Sequence, residues 1–161
     1  MRISRPQMFM EIAGVVAKRA TCQRLSVGAV LVRERSIVSV GYNGVPAGHE
    51  HCRGNDCPGR LSCDLTVHAE DNALAHLPAG TTGPLDMYVT DSPCERCYMH
   101  LLHDGRVRRI FFQTPYRIAG HLTTDFEFTN GKSYKCPEVY RITSSGYITN
   151  WRTKELVEVE T

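Results

Sequence analysis

No apolar run in this chain approaches the ~20 residues that span a bilayer; the longest near the N-terminus is broken by Glu11 and Lys18. The arginines ahead of it are followed by no signal-like apolar stretch, so neither export nor a membrane partner is expected. Charge of one sign is scarce as well. A formal net charge of +2 provides no basic footprint to neutralise a phosphate backbone, which disfavours a nucleic-acid polymer as partner. Repeats and low-complexity tracts are missing too, so residues 1–161 are expected to form one cytoplasmic domain around a single core.

Cysteine is the residue in surplus, with seven in the chain. Without an export signal the thiols stay reduced, and metal ligation becomes a better reading than disulfides. Two of them lie in Ser92-Pro93-Cys94-Glu95-Arg96-Cys97, downstream of His68-Ala69-Glu70. A structural zinc closes its tetrahedron with four protein ligands, whereas a catalytic zinc keeps three and leaves one position to water. His68, Cys94 and Cys97 make three. Glu70 sits two residues past the histidine, placed to handle protons without ligating the metal.

Local spacing lets the two halves meet. With Ser92 as helix N-cap and Pro93 as first helical residue, Cys94 and Cys97 share one face of a first turn, where the positive helix end favours thiolate. That helix should run to about Asp104 and stop at Gly105. A second helix, His68 to Leu77, carries Ala69, Ala73 and Leu77 on one face and is ended by Pro78. The competing reading is a redox Cys-x-x-Cys pair beside an ordinary histidine. The companion His-x-Glu and the proline before Cys94 favour the metal.

Five cysteines remain. Cys22, Cys52, Cys57 and Cys63 could close a second, structural zinc site; His49 and His51 compete as ligands, and free thiols are the alternative. Cys136 reads as a small hydrophobe. Around these motifs, Phe9, Ile12, Ala13, Val16, Ala17 and Ala20 mark an amphipathic helix from about Arg5 to Ala20. Val27–Arg33 and Ser36–Tyr42 form a hairpin through Glu34-Arg35. Met87–Thr90, the cysteine helix and Val107–Phe112 make a β-α-β crossover with parallel strands. Further strands are expected at Val139–Thr143 and Tyr147–Trp151, with Phe126 and Phe128 alternating ahead of an Asn130-Gly131 turn, so the region from about 120 is β-rich.

Four segments carry a family resemblance: Cys22-Gln23-Arg24 before Val27-Gly28-Ala29-Val30, then Gly41-Tyr42-Asn43-Gly44-Val45-Pro46-Ala47-Gly48, then His68-Ala69-Glu70-Asp71-Asn72-Ala73, then Ser92-Pro93-Cys94-Glu95-Arg96-Cys97. In content and order they resemble the deoxycytidylate (dCMP) deaminases of the zinc-dependent cytidine deaminase superfamily. The resemblance spans roughly Pro6 to Tyr116 and implies a three-layer α/β/α fold with a mixed central sheet and the zinc site at two helix N-termini. It implies hydrolysis of dCMP to dUMP and ammonia, with Glu70 as proton shuttle, Asn43 on the sugar, and Val27, Ala29 and Ala69 around the pyrimidine. Tyr116 would close over base and phosphate, with Arg117 as phosphate partner. Members with a second zinc have cysteines where Cys22 and Cys52 stand.

The family also implies a homo-oligomer, usually a hexamer, activated by dCTP and inhibited by dTTP, with Mg2+ accompanying the effector. Gly44, Pro46 and Gly48 are the candidate effector contacts. Alternatives are a deaminase of dCTP or of a 5-modified dCMP, a nucleic-acid deaminase, and a zinc-binding module without catalysis.

Overall fold

In the computed structural model, which describes residues 2–52, 63, 65–117, 119–123 and 136–158, helix α1 spans Arg5–Ala17. Its apolar face buries Phe9, Met10, Ala13 and Ala17. The Ser4 hydroxyl caps it by accepting from the Gln7 N–H at 3.3 Å, and Pro6 occupies the first turn, where no amide partner is needed. The helix ends earlier than the apolar spacing suggests. The N–H groups of Lys18, Arg19 and Ala20 reach back only three residues, to Val15, Val16 and Ala17, and Thr21 turns away to the Asn43 carbonyl at 3.1 Å.

Strands β1 (Gly28–Arg33) and β2 (Ser36–Tyr42) form the expected antiparallel hairpin. Helix α2 (Ala69–Ala75), strand β3 (Leu85–Asp91), helix α3 (Glu95–Asp104) and strand β4 (Val107–Thr114) follow. Strands β5 (Glu138–Ile142) and β6 (Ile148–Asn150) complete a mixed six-stranded sheet of order β2-β1-β3-β4-β5-β6. β3, β4 and β5 run parallel, while the β1–β2, β1–β3 and β5–β6 pairs are antiparallel. The expected strands near the C-terminus are therefore there; Phe126, Phe128, Asn130 and Gly131 lie outside the described residues.

Strand alternation divides the core in two. Val30, Tyr88, Phe111, Tyr140 and Ile142 point toward α1, whereas Ala29, Leu31, Met87, Val89 and Phe112 point toward α2 and α3. This is the three-layer α/β/α arrangement. On the α1 side aromatic rings step across the strands, Phe9 to Tyr88 at 5.2 Å, Tyr88 to Phe111 at 4.6 Å and Phe111 to Tyr140 at 5.0 Å between centroids. The buried Asp86 at the edge of that stack accepts from Arg109 Nε at 2.8 Å and Arg108 Nε at 3.2 Å.

Both helix layers come close because glycine stands beneath them. A Cβ on Gly28 would lie 2.1 Å from the Ala13 carbonyl oxygen of α1, and one on Gly41 would lie 2.3 Å from the Ala69 carbonyl oxygen of α2. Beyond β2, Gly44 and Val67 exchange two backbone hydrogen bonds, of 3.1 and 2.9 Å, that bring the chain back beside His68.

Candidate metal centre and cavity

α2 and α3 start side by side at the C-terminal end of β3. His68 is the N-cap of α2, and its ring lies against both thiols, with Nδ1 3.5 Å from Cys94 Sγ and 3.2 Å from Cys97 Sγ. The three ligand atoms lie within 4.8 Å of one another. Tetrahedral zinc, with bonds of about 2.3 Å to sulfur and about 2.0 Å to nitrogen, would separate N and S by about 3.5 Å. The donor set and its spacing therefore fit that ion.

One local expectation is corrected here. The N-cap of α3 is Cys94, not Ser92, and Glu95 is the first helical residue. Cys94 makes no side-chain cap bond because its sulfur faces His68. Ser92 serves elsewhere: its Oγ accepts from the Tyr116 N–H at 2.7 Å. At the other end Gly105 takes the left-handed conformation, φ 72°, as expected of a helix-ending glycine.

The thiols behave as one unit. Cys94 is held far below the usual thiol range, at about 3, first by the hydrogen bond from Cys97 and then by His68. Cys97 is pushed up because it keeps the shared proton and is buried, and His68 is raised by its bond to Cys94. A site that favours a thiolate is one that favours a bound cation. Glu70, only 4% exposed, is pushed up to about 7 by burial. A carboxyl poised near neutrality beside a metal position can both take and return a proton. On the far side, Asp71 accepts from His100 Nδ1 at 2.8 Å and lies 4.0 Å from Cys97 Sγ.

These groups open onto a cavity of about 620 Å³. Val27, Asn43, Ala69, Tyr116 and Arg117 line it together with His68, Glu70 and Cys94. Ala29 is fully buried behind that wall. Asn43 is already engaged with backbone, its Oδ1 accepting from the Val27 N–H at 2.7 Å and its Nδ2 donating to the Leu25 carbonyl at 2.8 Å. It locks the turn that shapes the wall. Arg117 has φ 44° and places its guanidinium over the Tyr116 ring, 5.0 Å from the centroid.

Of the second set of cysteines, Cys22, Cys52 and Cys63 all line the cavity, as does His51, while Cys57 lies outside the described residues. Among the described residues they form no second cluster with ligand atoms in mutual reach. Gly44, Pro46 and Gly48 lie off the cavity wall. Gly44 is crowded, with a Cβ there 2.2 Å from Thr21 Oγ1; Gly48 has φ 85° and open space around it. The wall also contains Arg24, Asp91 and Arg96, which motif spacing did not single out. For Asp91 the sequence carries a signal: it shares strand parity with Met87 and Val89, so it belongs to the face packed against α2 and α3.

Residues 3–114 match the family described as "Cytidine and deoxycytidylate deaminase zinc-binding region". ComE operon protein 2 of Bacillus subtilis is 35% identical over 129 residues, covering 78% of this chain and 68% of its own length. Deoxycytidylate deaminase of Mycobacterium phage D29 is also 35% identical, over 68% of this chain and 97% of its own. Among solved structures, dCMP deaminase from the cyanophage S-TIM5 in complex with dCMP and dUMP superposes with a TM-score of 0.65 at 28% identity, covering 76% of this chain and 90% of that one.

Proposed function

The chain belongs to the cytidine and deoxycytidylate deaminase family, and from that premise we propose that it hydrolyses dCMP to dUMP and ammonia at a zinc ion held by His68, Cys94 and Cys97. One observation carries the reading: three ligand atoms cluster within 4.8 Å of one another, and two of their residues, His68 and Cys94, share the wall of a single cavity with the buried Glu70. Zinc, when bound, supplies Lewis acidity and an acidic water. Glu70 would take one proton from the attacking water and deliver it to N3 as oxygen adds to C4. It would then take the remaining proton of the new C4 hydroxyl and pass it to the amine, so the C4–N4 bond breaks, ammonia leaves and the oxygen stays on the ring as a carbonyl. The side chains of Val27 and Ala69 flank the base, Asn43 holds the sugar side, and Ala29 fills the space behind. Tyr116 and Arg117 take the phosphate end, the guanidinium resting on the ring until an anion draws it away.

The same proposal treats residues 1–161 as one deaminase domain acting in the cytoplasm, where reduced thiols and nucleotide precursors coincide. No helix among the described residues is long and apolar enough to cross a membrane. A second zinc at Cys22, Cys52, Cys57 and Cys63 belongs to the reading too, supported by three of these cysteines lying along one cavity. So does control by dCTP and dTTP with Mg2+ in a homo-hexamer. Its support is the open turn at Gly48, joined through Gly44 and Val67 to the residue before His68.

The test compares ammonia release from dCMP, deoxycytidine and cytosine in single-stranded DNA, with zinc measured per chain. dCMP should lead, and Arg117→Ala should reduce dCMP turnover while leaving residual deoxycytidine turnover unchanged. Equal use of deoxycytidine by the unmodified protein would remove the phosphate role, and no turnover of any of the three would remove the reading. Saturation curves with dCTP or dTTP, run beside a solution mass, decide the regulatory part.

A further inference from the structure

The turn that carries Cys94 lacks the support a helix start ordinarily has. Cys94 is the N-cap of α3, but its sulfur faces His68 and makes no side-chain cap bond. Pro93 just before it is buried, and its carbonyl lies ahead of the helix, where no intrahelical donor can reach it. That carbonyl is met by His121, whose Nε2 stands 2.9 Å away. A carbonyl can only accept, so Nε2 carries the proton and donates.

His121 is itself held firmly. It belongs to a short 3₁₀ turn, Gly120–Thr123, pinned by Leu122, which is fully buried, and by the Leu122 N–H to the Ala119 carbonyl at 3.2 Å. Its ring packs at 5.7 Å from that of Tyr98, on the same helix as Cys97. A few residues earlier, the same strand exit grips Ser92: the Ser92 N–H donates to the Thr114 carbonyl at 2.9 Å, and Ser92 Oγ accepts from Tyr116 at 2.7 Å. Residues 114–117 and 119–121 therefore hold the two residues before Cys94 from one side, as a strap with Tyr116 and Arg117 lining the cavity. Apart from Thr114, the strap lies beyond residues 3–114, the part matched by the family.

We propose that His121 is a positioning residue for the metal centre: by holding the Pro93 carbonyl it fixes the Pro93–Cys94 peptide, and with it the direction of the Cys94 sulfur. The strap then makes the metal ligand and the Tyr116–Arg117 end of the cavity one mechanical unit. This rests on the metal-site reading above, and it is tested without substrate, so a wrong substrate assignment leaves the test intact.

The experiment measures zinc affinity by competition with a chromophoric chelator, and the visible absorption of the cobalt-substituted protein, for His121→Ala and His121→Gln. Loss of an outer hydrogen bond to a ligand turn ordinarily weakens metal binding about 10–100-fold. His121→Ala should fall in that range and shift the cobalt ligand-field bands. Glutamine, which offers an amide N–H at similar reach, should recover affinity to within about threefold of the unmodified protein and restore the bands. Unchanged zinc affinity and cobalt spectrum in folded His121→Ala would overturn the proposal. So would a glutamine variant as defective as the alanine one. If His121→Ala does not fold, the glutamine variant decides alone: near-normal affinity and spectrum uphold the hydrogen bond, and loss of both rejects it.

Discussion

The two faces of the sheet each carry a buried apolar cluster and do different work. Facing α1, large rings stack from strand to strand, the charged pair at Asp86 and Arg109 is satisfied within the sheet, and none of these side chains lines the cavity. Facing α2 and α3, the residues nearest the strand ends are small or polar: Val27, Ala29, Asp91 and Ser92. Chemistry is placed where the helices begin, since two N-termini meeting at the end of a strand bring ligands and positive backbone ends to one point. The other face holds the sheet to its shape while that point stays open.

Four substitutions separate these roles, in order of expected effect. Glu70→Gln should lower kcat by about 10²–10⁴-fold with zinc content and melting temperature retained, because it removes a proton carrier and no ligand. Ammonia release and metal analysis on the same sample check this, and parallel loss of zinc would make Glu70 structural. On the opposite face Phe111→Ala removes the centre of the aromatic stack and should cost about 3–5 kcal/mol in denaturant unfolding. The protein that remains folded should keep its zinc stoichiometry and KM.

The sharpest comparison is a matched pair. Gly28→Ala and Gly41→Ala force a methyl group against helix backbone at nearly equal distances, 2.1 Å on α1 and 2.3 Å on α2. Each should cost about 1–3 kcal/mol from overpacking. Only Gly41→Ala displaces the helix that bears His68 and Glu70, so only it should also lose zinc affinity and kcat. Equal functional losses would mean that the two faces are not separable.

The smallest effect tests a pH dependence away from both faces. Asp104, in the last turn of α3, is held below the ordinary carboxylate range chiefly by its hydrogen bond with Arg106, which also donates to the Thr81 carbonyl at 3.0 Å. A lowered carboxyl contributes stability above its unfolded value of about 3.9 and loses it as pH falls through the folded value. Arg106→Gln should therefore cost about 1 kcal/mol or less at pH 7, with the Asp104 part of the difference disappearing in acid. Denaturant midpoints at the two pH values measure it.

What could be read from the sequence followed the range of the interactions involved. The hairpin and the parallel crossover follow from short-range patterns within elements close in the chain, and the fold has both; His68, Cys94 and Cys97, read from two short motifs on two helices, also come together. Capping preference starts α3 two residues early because it assumes that the capping side chain is free. Here Ser92 is taken by Tyr116 and Cys94 by His68. Arg24 and Arg96 on the cavity wall, and His121 behind it, depend on contacts between distant segments that no local period encodes. The same holds for the α1 terminus, which is decided by Thr21 pairing with Asn43.

The Gly44–Val67 clasp has an engineering consequence. Its two hydrogen bonds hold Gly44, just past β2, beside Val67, the residue before the first metal ligand, so His68 takes its place from the end of the hairpin however many residues lie between them. Closing a longer flexible loop is cheap, about 0.6 kcal/mol for each doubling in length. Splicing extra residues into that excursion, or grafting a foreign recognition sequence there, should leave the reaction centre in register, which makes it the natural place to give this scaffold a new specificity.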